Sequence, residues 1–407
     1  MITVLSVFGT RPEAIKMAPV IKELERYPDT VRSLICSVGQ HREMLDQVMD
    51  LFDLVPDYNL DLMEADQQLP RLTARLFAGL DDVIGQVKPD WVLAQGDTTT
   101  VFVAAMNAFY RGAAFGHIEA GLRTGNRRQP YPEEVNRRIA DLVADAYFAP
   151  TTRARDALLA EGCPERDIYV TGNTVIDALY DVADREYRWE SGPLASIPQN
   201  RRLVLITAHR RESFGPPFRE LCLAIRDLAL RFAESHVHFV YPVHLNPNVR
   251  EPVMSLLSDI DNVSLIEPLD YLSLVHLMKR STLVLTDSGG IQEEAPAFQI
   301  PVLVMRDTTE RPEGVATGLV TLVGTDRHRI VEQAARILAV PQRSTVGTRA
   351  PSPYGDGKAA GRIVSALRQR SQREERAEMG ETASVQALHD ALMGGNVDVT
   401  GSSECGS

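Results

Sequence analysis

The sequence predicts an α/β protein made of two doubly wound domains that face each other across a cleft. Three observations carry this. Short apolar runs alternate with amphipathic segments from Ile2 to about Val323, the pattern of parallel sheets joined by crossover helices. A chain of 407 residues exceeds one ordinary core and suits two domains plus a tail. Between the halves the stretch EYRWESGPLASIPQNRR is rich in charge, Pro and Gly, as a linker is. The expected division is 1–180 for the N-terminal domain, 181–202 for the linker and 203–357 for the C-terminal domain. A helix over 358–370 then closes the second domain or crosses back to the first, and 371–407 is a flexible tail ending in GGNVDVTGSSECGS.

Taken in order, strand Ile2–Phe8 runs into Gly9, and Thr10-Arg11-Pro12-Glu13 has the T-x-x-E spacing of a capping box at a helix start. A helix start there offers free amides to an anion, with Arg11 and Lys16 adding charge, although a capped structural helix explains Thr10 and Glu13 equally well. Trp91–Ala94 and Ala114–Ile118 read as buried strands, with a crossover helix over Thr98–Tyr110 between them. Asp97 and Glu119 follow these strands directly. Residues just past the carboxyl ends of neighbouring parallel strands converge on one crevice, so the two acids should share a cavity. Asp97 alone is read as readily as a helix-start residue.

Pro132-Glu133-Glu134 opens the next helix, with Val135, Ile139, Leu142 and Val143 as its expected buried stripe. Glu133 and Arg137 lie four apart and share a face, either as a surface ion pair or as site residues. The preceding loop leads out of the Glu119 strand end and carries Arg123, Arg127 and Arg128. In the second half the strand candidates are Leu203–Thr207, Val237–Tyr241, Val263–Ile266, Leu283–Thr286 and Pro301–Met305. His209-Arg210-Arg211-Glu212 follows the first of these and aims cationic groups at the cleft. Asp287-Ser288-Gly289-Gly290 follows Leu283–Thr286 and opens a helix whose amides could hold phosphate oxygens, with Glu293 and Glu294 as dipole partners or as a grip on ribose hydroxyls.

A net charge of −12 argues against general nucleic-acid binding. The four cysteines are scattered without a CxxC or metal spacing, so reduced thiols and a cytoplasmic location are expected. No apolar run approaches the roughly eighteen residues of a membrane span, and the N-terminal segment lacks the basic start of a signal peptide. There is no dinucleotide fingerprint and no HExxH, so neither a nicotinamide cofactor nor a metal is expected.

With these pieces in place the chain closely resembles the non-hydrolysing bacterial UDP-N-acetylglucosamine 2-epimerases. The matching runs include FGTRPEAIKMAP, QHREMLDQV, GDTTT, HIEAGLRTG, PEEVNR, TGNTVIDAL, HRRESFG, YPVHLNPNVREPV, TDSGGIQEEAP, VLVMRDTTERPEGV and PYGDG, from Phe8 to Gly357. The resemblance implies a glycosyltransferase-B-like (GT-B-like) pair of Rossmann-like domains, interconversion of UDP-GlcNAc and UDP-ManNAc, no cofactor, and a homodimer. It places Asp97, Glu119, Glu133, Arg137, His209 and Lys16 at active-site positions. Arg11, Ser288, Gly289, Gly290, Glu294 and Arg311 fall at positions that bind the nucleotide diphosphate, and backbone near Leu269 and Tyr271 at the uracil.

Some members bind a second UDP-GlcNAc as activator, and Gln40, His41 and His244 match that region, while Asp66 stands where such members can carry an arginine. Other departures are Ala297–Ile300, in place of the family's usual Leu-Gly-Lys, and Gln129, where serine is common. Epimerisation without an oxidant implies elimination of UDP to 2-acetamidoglucal and re-addition, with acids serving the two faces of C2. The rivals are a hydrolysing 2-epimerase, an epimerase of a modified UDP-sugar, a GT-B glycosyltransferase and a nucleotide-sugar binding protein.

Overall fold

The structure, a computed structural model, describes residues 1–39, 42–62, 67–341, 347–349 and 352–373. Gln40, His41, Asp66 and most of the expected tail lie outside the described residues. The described residues up to Ile363 form one compact unit, and those from Val364 belong to a second.

The first seven strands are β1 (Ile2–Phe8), β2 (Val31–Ser37), β3 (Tyr58–Asn59), β4 (Trp91–Gln95), β5 (Ala114–Ile118), β6 (Ala146–Ala149) and β7 (Ile168–Val170). They form one sheet in the order β3-β2-β1-β4-β5-β6-β7, with every pairing parallel. The next six are β8 (Arg202–Thr207), β9 (Val237–Pro242), β10 (Val263–Ile266), β11 (Ser281–Thr286), β12 (Val302–Val304) and β13 (Val320–Leu322). Their sheet runs β10-β9-β8-β11-β12-β13, again parallel throughout. Both orders reverse direction once, between β1 and β4 in the first sheet and between β8 and β11 in the second. Such a switch point opens a crevice at the strands' carboxyl ends.

Why these residues form strands follows from burial on both faces. Leu5, Val7, Val92, Ala94 and Phe115 pack into one core, and Val204, Ile206, Phe239, Leu283 and Leu285 into the other. Continuous apolar runs are what a sheet covered by helices on both sides requires. The loop after β5 needs its glycine: Gly121 has φ +87°, and an added Cβ would lie 2.3 Å from the Ala154 carbonyl oxygen.

Two expectations need correction, and the last helix follows one of the two courses the sequence allowed. The helix Glu133–Val143 only half-buries Val135, Ile139 and Val143. Leu142 is 81% exposed, and the buried positions are Glu134, Asn136, Arg137, Ala140 and Asp141. Polar groups can occupy that face because they bond with the strand ends and loop beneath. The linker starts later than expected, since a helix runs from Thr174 through Asp184 and irregular backbone occupies 185–201. The last helix begins at residue 359, and its first amides, Ala359 and Ala360, donate to Asp177 of the N-terminal half at 3.1 and 2.9 Å. Arg362 reaches the Thr171 carbonyl at 2.9 Å, so the chain crosses back at this point.

Candidate active site

The two switch points bound a cleft of about 690 Å³. On the first wall, the turn after β1 is fixed by Glu13. Its Oε2 accepts the Gly9 and Thr10 amides at 2.8 and 2.7 Å, and Thr98 donates to its other oxygen. The capping box is present, and Glu13 further ties the turn after β1 to the helix start after β4. Asp97 occupies that second turn without capping the helix, since Thr98 is the N-cap. Arg137 Nη2 meets Asp97 Oδ2 at 2.5 Å, and Asn136 Nδ2 donates to the Asp97 carbonyl at 3.0 Å. Arg137 also pairs with Glu134 at 3.1 Å. The expected Glu133–Arg137 pair is thus replaced by Arg137 with Asp97 and Glu134. Glu133 is left facing the cleft, with its Oε2 buried and, among the described residues, without a hydrogen-bond partner. Burial, and then the nearby Asp97 charge, push the Glu133 carboxyl above its ordinary range.

Glu119 sits in the left-handed region, φ +68°, which costs energy for a side chain and concentrates at functional sites. Lys16 Nζ donates to its Oε1 at 2.7 Å, Asn173 Nδ2 to the same oxygen at 2.8 Å, and Gln95 to Oε2. Burial alone would raise this carboxyl; the Lys16 and Arg311 charges and the hydrogen bonds outweigh burial and lower it. Lys16 is raised in turn, because Glu119 and Glu293 outweigh burial, so both partners are charged.

The second wall comes from the β8 and β11 ends. Ser288 is the N-cap of the helix Gly289–Ala297 but makes no side-chain cap bond. Arg311 lies against this helix start, where a Cβ on Gly289 would be 2.9 Å from Nη1. It is held by Glu293 Oε1 at 2.5 Å and by Glu310 at 3.6 Å. Glu293 also accepts Asn173 Nδ2 at 3.0 Å, so one asparagine joins Glu119 to the opposite wall. Glu294 takes the Tyr271 hydroxyl at 2.6 Å, and burial, partly offset by that bond, raises it to about 7. Asp287 is buried, with Oδ2 accepting the His209 and Arg210 amides at 2.7 and 2.8 Å. Its Oδ1 makes no hydrogen bond among the described residues and lies 3.8 Å from His209 Nδ1.

A family model described as UDP-N-acetylglucosamine 2-epimerase matches residues 22–368. The chain belongs to the UDP-N-acetylglucosamine 2-epimerase family. The Salmonella typhimurium UDP-N-acetylglucosamine 2-epimerase is 50% identical over 371 residues, 90% of this chain and 98% of that protein. The crystal structure of UDP-GlcNAc 2-epimerase from Neisseria meningitidis bound to UDP-GlcNAc is 47% identical with a TM-score of 0.83, over 90% of this chain and all of that one. A structure of the glycotransferase of kitacinnamycin, 13% identical with a TM-score of 0.55 over 90% of this chain and 94% of its own, shares the GT-B-like fold alone.

Of the positions assigned by resemblance to the 2-epimerases, Lys16, Asp97, Glu119, Glu133, Arg137, His209, Arg11, Tyr271, Ser288, Gly289, Gly290, Glu294 and Arg311 all line the one cleft. Leu269 is buried, and its carbonyl accepts Arg11 Nη2 at 3.2 Å. His244 stacks on His209 with ring centroids 5.3 Å apart. Arg127 and Arg128 are exposed, whereas Arg123 binds Asp141 and Glu161. Glu134, Asn136, Asn173 and Asp287 hold site residues yet were absent from the candidates. Asp287 carried a signal, standing inside a motif already read for its glycines, and Glu293, read with Glu294 as a dipole partner or a ribose grip, instead holds Arg311 and Asn173. Among the described residues no group of three or more His, Cys, Asp or Glu side chains could hold a metal, and no helix is long and apolar enough to cross a membrane.

Proposed function

We propose that this chain interconverts UDP-GlcNAc and UDP-ManNAc, retaining the nucleotide, by elimination of UDP to 2-acetamidoglucal and re-addition. The observation that carries the reading is the opposition of two walls: Asp97 and Glu119 at the β4 and β5 ends, with Glu133 at the start of the next helix, face a helix start without a side-chain cap and with Arg311 beside it. Free amides and a guanidinium suit a diphosphate leaving group. Two faces of C2 need a group that takes a proton and one that gives it. Glu119, held ionised, and Asp97 suit the first role. Glu133, raised by burial and with an unpartnered oxygen, suits the second. His209 stands beside Asp287 on the diphosphate wall, and Glu294 is placed to accept hydrogen bonds from ribose hydroxyls.

The test is a proton NMR time course with UDP-GlcNAc in D₂O without added nicotinamide or metal. UDP-ManNAc deuterated at C2 is expected. Product without C2 deuterium would sink the elimination route, and accumulation of free ManNAc with UDP would favour the hydrolysing reading.

We further propose a homodimer and a cytoplasmic location. Phe109, Tyr110 and Leu142, all exposed, lie on adjoining helices and offer an apolar face to a second copy. The free thiols Cys36, Cys163 and Cys222 fit a reducing compartment. Sedimentation should give twice the chain mass, reduced to one by Leu142→Asp. A wild-type monomer would refute the dimer.

A further inference from the structure

Below the acids lies a histidine whose neighbours leave it one protonation state. His117 stands in β5 two residues before Glu119 and is fully buried. Its Nδ1 is 2.6 Å from Asp141 Oδ1 and its Nε2 2.7 Å from the Gly96 carbonyl oxygen. A neutral imidazole has one N–H, so it would donate to one acceptor and press a lone pair against the other. A second ring proton or a proton on Asp141 would resolve this. The other Asp141 oxygen accepts from Arg123 Nη2 at 2.7 Å and from the Gly121 amide at 3.4 Å, which favours the carboxylate.

The groups facing the ring come from three elements. Asp141 is on the helix Glu133–Val143, Arg123 on the loop after β5, and the Gly96 carbonyl on the turn after β4; the nearest aromatic ring, Phe115 at 6.0 Å, is uncharged. Burial and Arg123 disfavour a cation there, but the Asp141 charge and the two hydrogen bonds outweigh them, so the ring's pKa lies above its ordinary value. Asp141 is lowered to match, since His117 and Arg123 outweigh its burial.

We propose that His117 is a buried imidazolium that acts as a positioning residue, clamping the Gly96 carbonyl so that Asp97 is set against Glu119. The Gly96 amide donates to the Ile118 carbonyl at 3.0 Å, so both sides of this glycine are tied to the strand that ends in Glu119. Asp97 follows immediately, and Asn136 and Arg137 fix it from the same helix that carries Asp141. One charged ring therefore links the β4 end, the β5 end and the helix bearing Glu133. A side chain with a single donor can hold one of these contacts and releases the other.

Two measurements test this, and only the second rests on the proposed reaction. Neutron diffraction from deuterium-exchanged crystals at about pH 8, well above the ordinary histidine value, should find deuterons on both His117 nitrogens. A single ring deuteron, or a deuteron on Asp141, would overturn the proposal. In steady-state kinetics, His117→Gln and His117→Asn should lower kcat about 10- to 100-fold through misplaced acids, with KM for UDP-GlcNAc within about threefold. A wild-type kcat, or a loss carried by KM alone, would remove the positioning role. Asp141→Asn keeps the contact but removes the counter-charge. Burial and Arg123 then favour the neutral ring, so the variant's kcat should already be lowered at pH values above the ordinary histidine value of about 6.5 and recover on acidification relative to wild type, and superimposable profiles would refute the charged clamp. Absence of epimerisation in wild type would count against the proposed function and leave the diffraction result standing.

Discussion

Replacing Lys16 with methionine removes the cation that pairs directly with both Glu119 and Glu293, and the size of the effect can be worked from the geometry. Lys16 Nζ lies 2.7 Å from Glu119 and 3.6 Å from Glu293, and the three side chains are 9, 5 and 2% exposed. Removing one partner of a buried pair costs about 3–5 kcal/mol, because the other charge stays buried without compensation. Arg311 and Asn173 still reach Glu293, which places the expected cost near the lower end, about 3 kcal/mol. The pH dependence adds a sign. In wild type the folded Glu119 pKa is depressed, so its contribution is present above the unfolded carboxylate value and lost as pH falls through the lower folded one. In Lys16→Met burial dominates and the folded pKa rises, so the penalty is full at neutral pH and shrinks on acidification. Urea midpoints of both proteins at about pH 8 and pH 5 give the measurement. A difference below about 1 kcal/mol at the higher pH, or one that widens at the lower, would refute the buried triad.

Arg311→Ala should weaken UDP binding at least tenfold, about 1.4 kcal/mol, whereas Asp97→Asn should leave it nearly unchanged; equal affinities by calorimetry would take Arg311 out of the diphosphate site. Asp177→Ala should cost about 0.5–2 kcal/mol through loss of the cap on the last helix. Burial raises the Asp177 carboxyl to about 6, so wild type gains stability below the unfolded value that it loses as pH rises through about 6. The variant should lack that slope in thermal scans, and its persistence would assign the slope elsewhere. Truncation after Arg370 should leave epimerisation largely intact, since the segment beyond offers little apolar surface; loss of folding would show it to be structural.

Strands were legible because a covered parallel sheet writes itself as an apolar run. β1, β5 and β10 match the expected limits, and β8 and β11 start only one or two residues early. The acids were legible for a related reason, since topology alone sends the residue after a central strand to the crevice. Their partners were not. Asn173 lies 54 residues from Glu119 and 120 from Glu293, and nothing in its surroundings distinguishes it from an ordinary N-cap, which it also is. Long-range hydrogen bonds leave no periodicity to read, so a pattern-based search finds the chemistry and misses the groups that hold it.

The helix Glu133–Val143 shows how the most dependable pattern can point the wrong way. Its apolar residues fall at helical spacing, and that rule puts them inside. A polar face is buried more deeply, because Glu134, Asn136, Arg137 and Asp141 each find partners in the turn after β4, the loop after β5, or the β5 ring of His117. A helix that buries polar groups to organise a site must satisfy most of them, and the groups it leaves unpartnered, such as Glu133 Oε2, are candidates for chemistry. Val135, Ile139 and Val143 are half-buried, Val143 against the core of the first sheet, and Leu142 alone of the four faces solvent, so the apolar spacing marks the edge of this helix's buried face and the polar groups mark its centre.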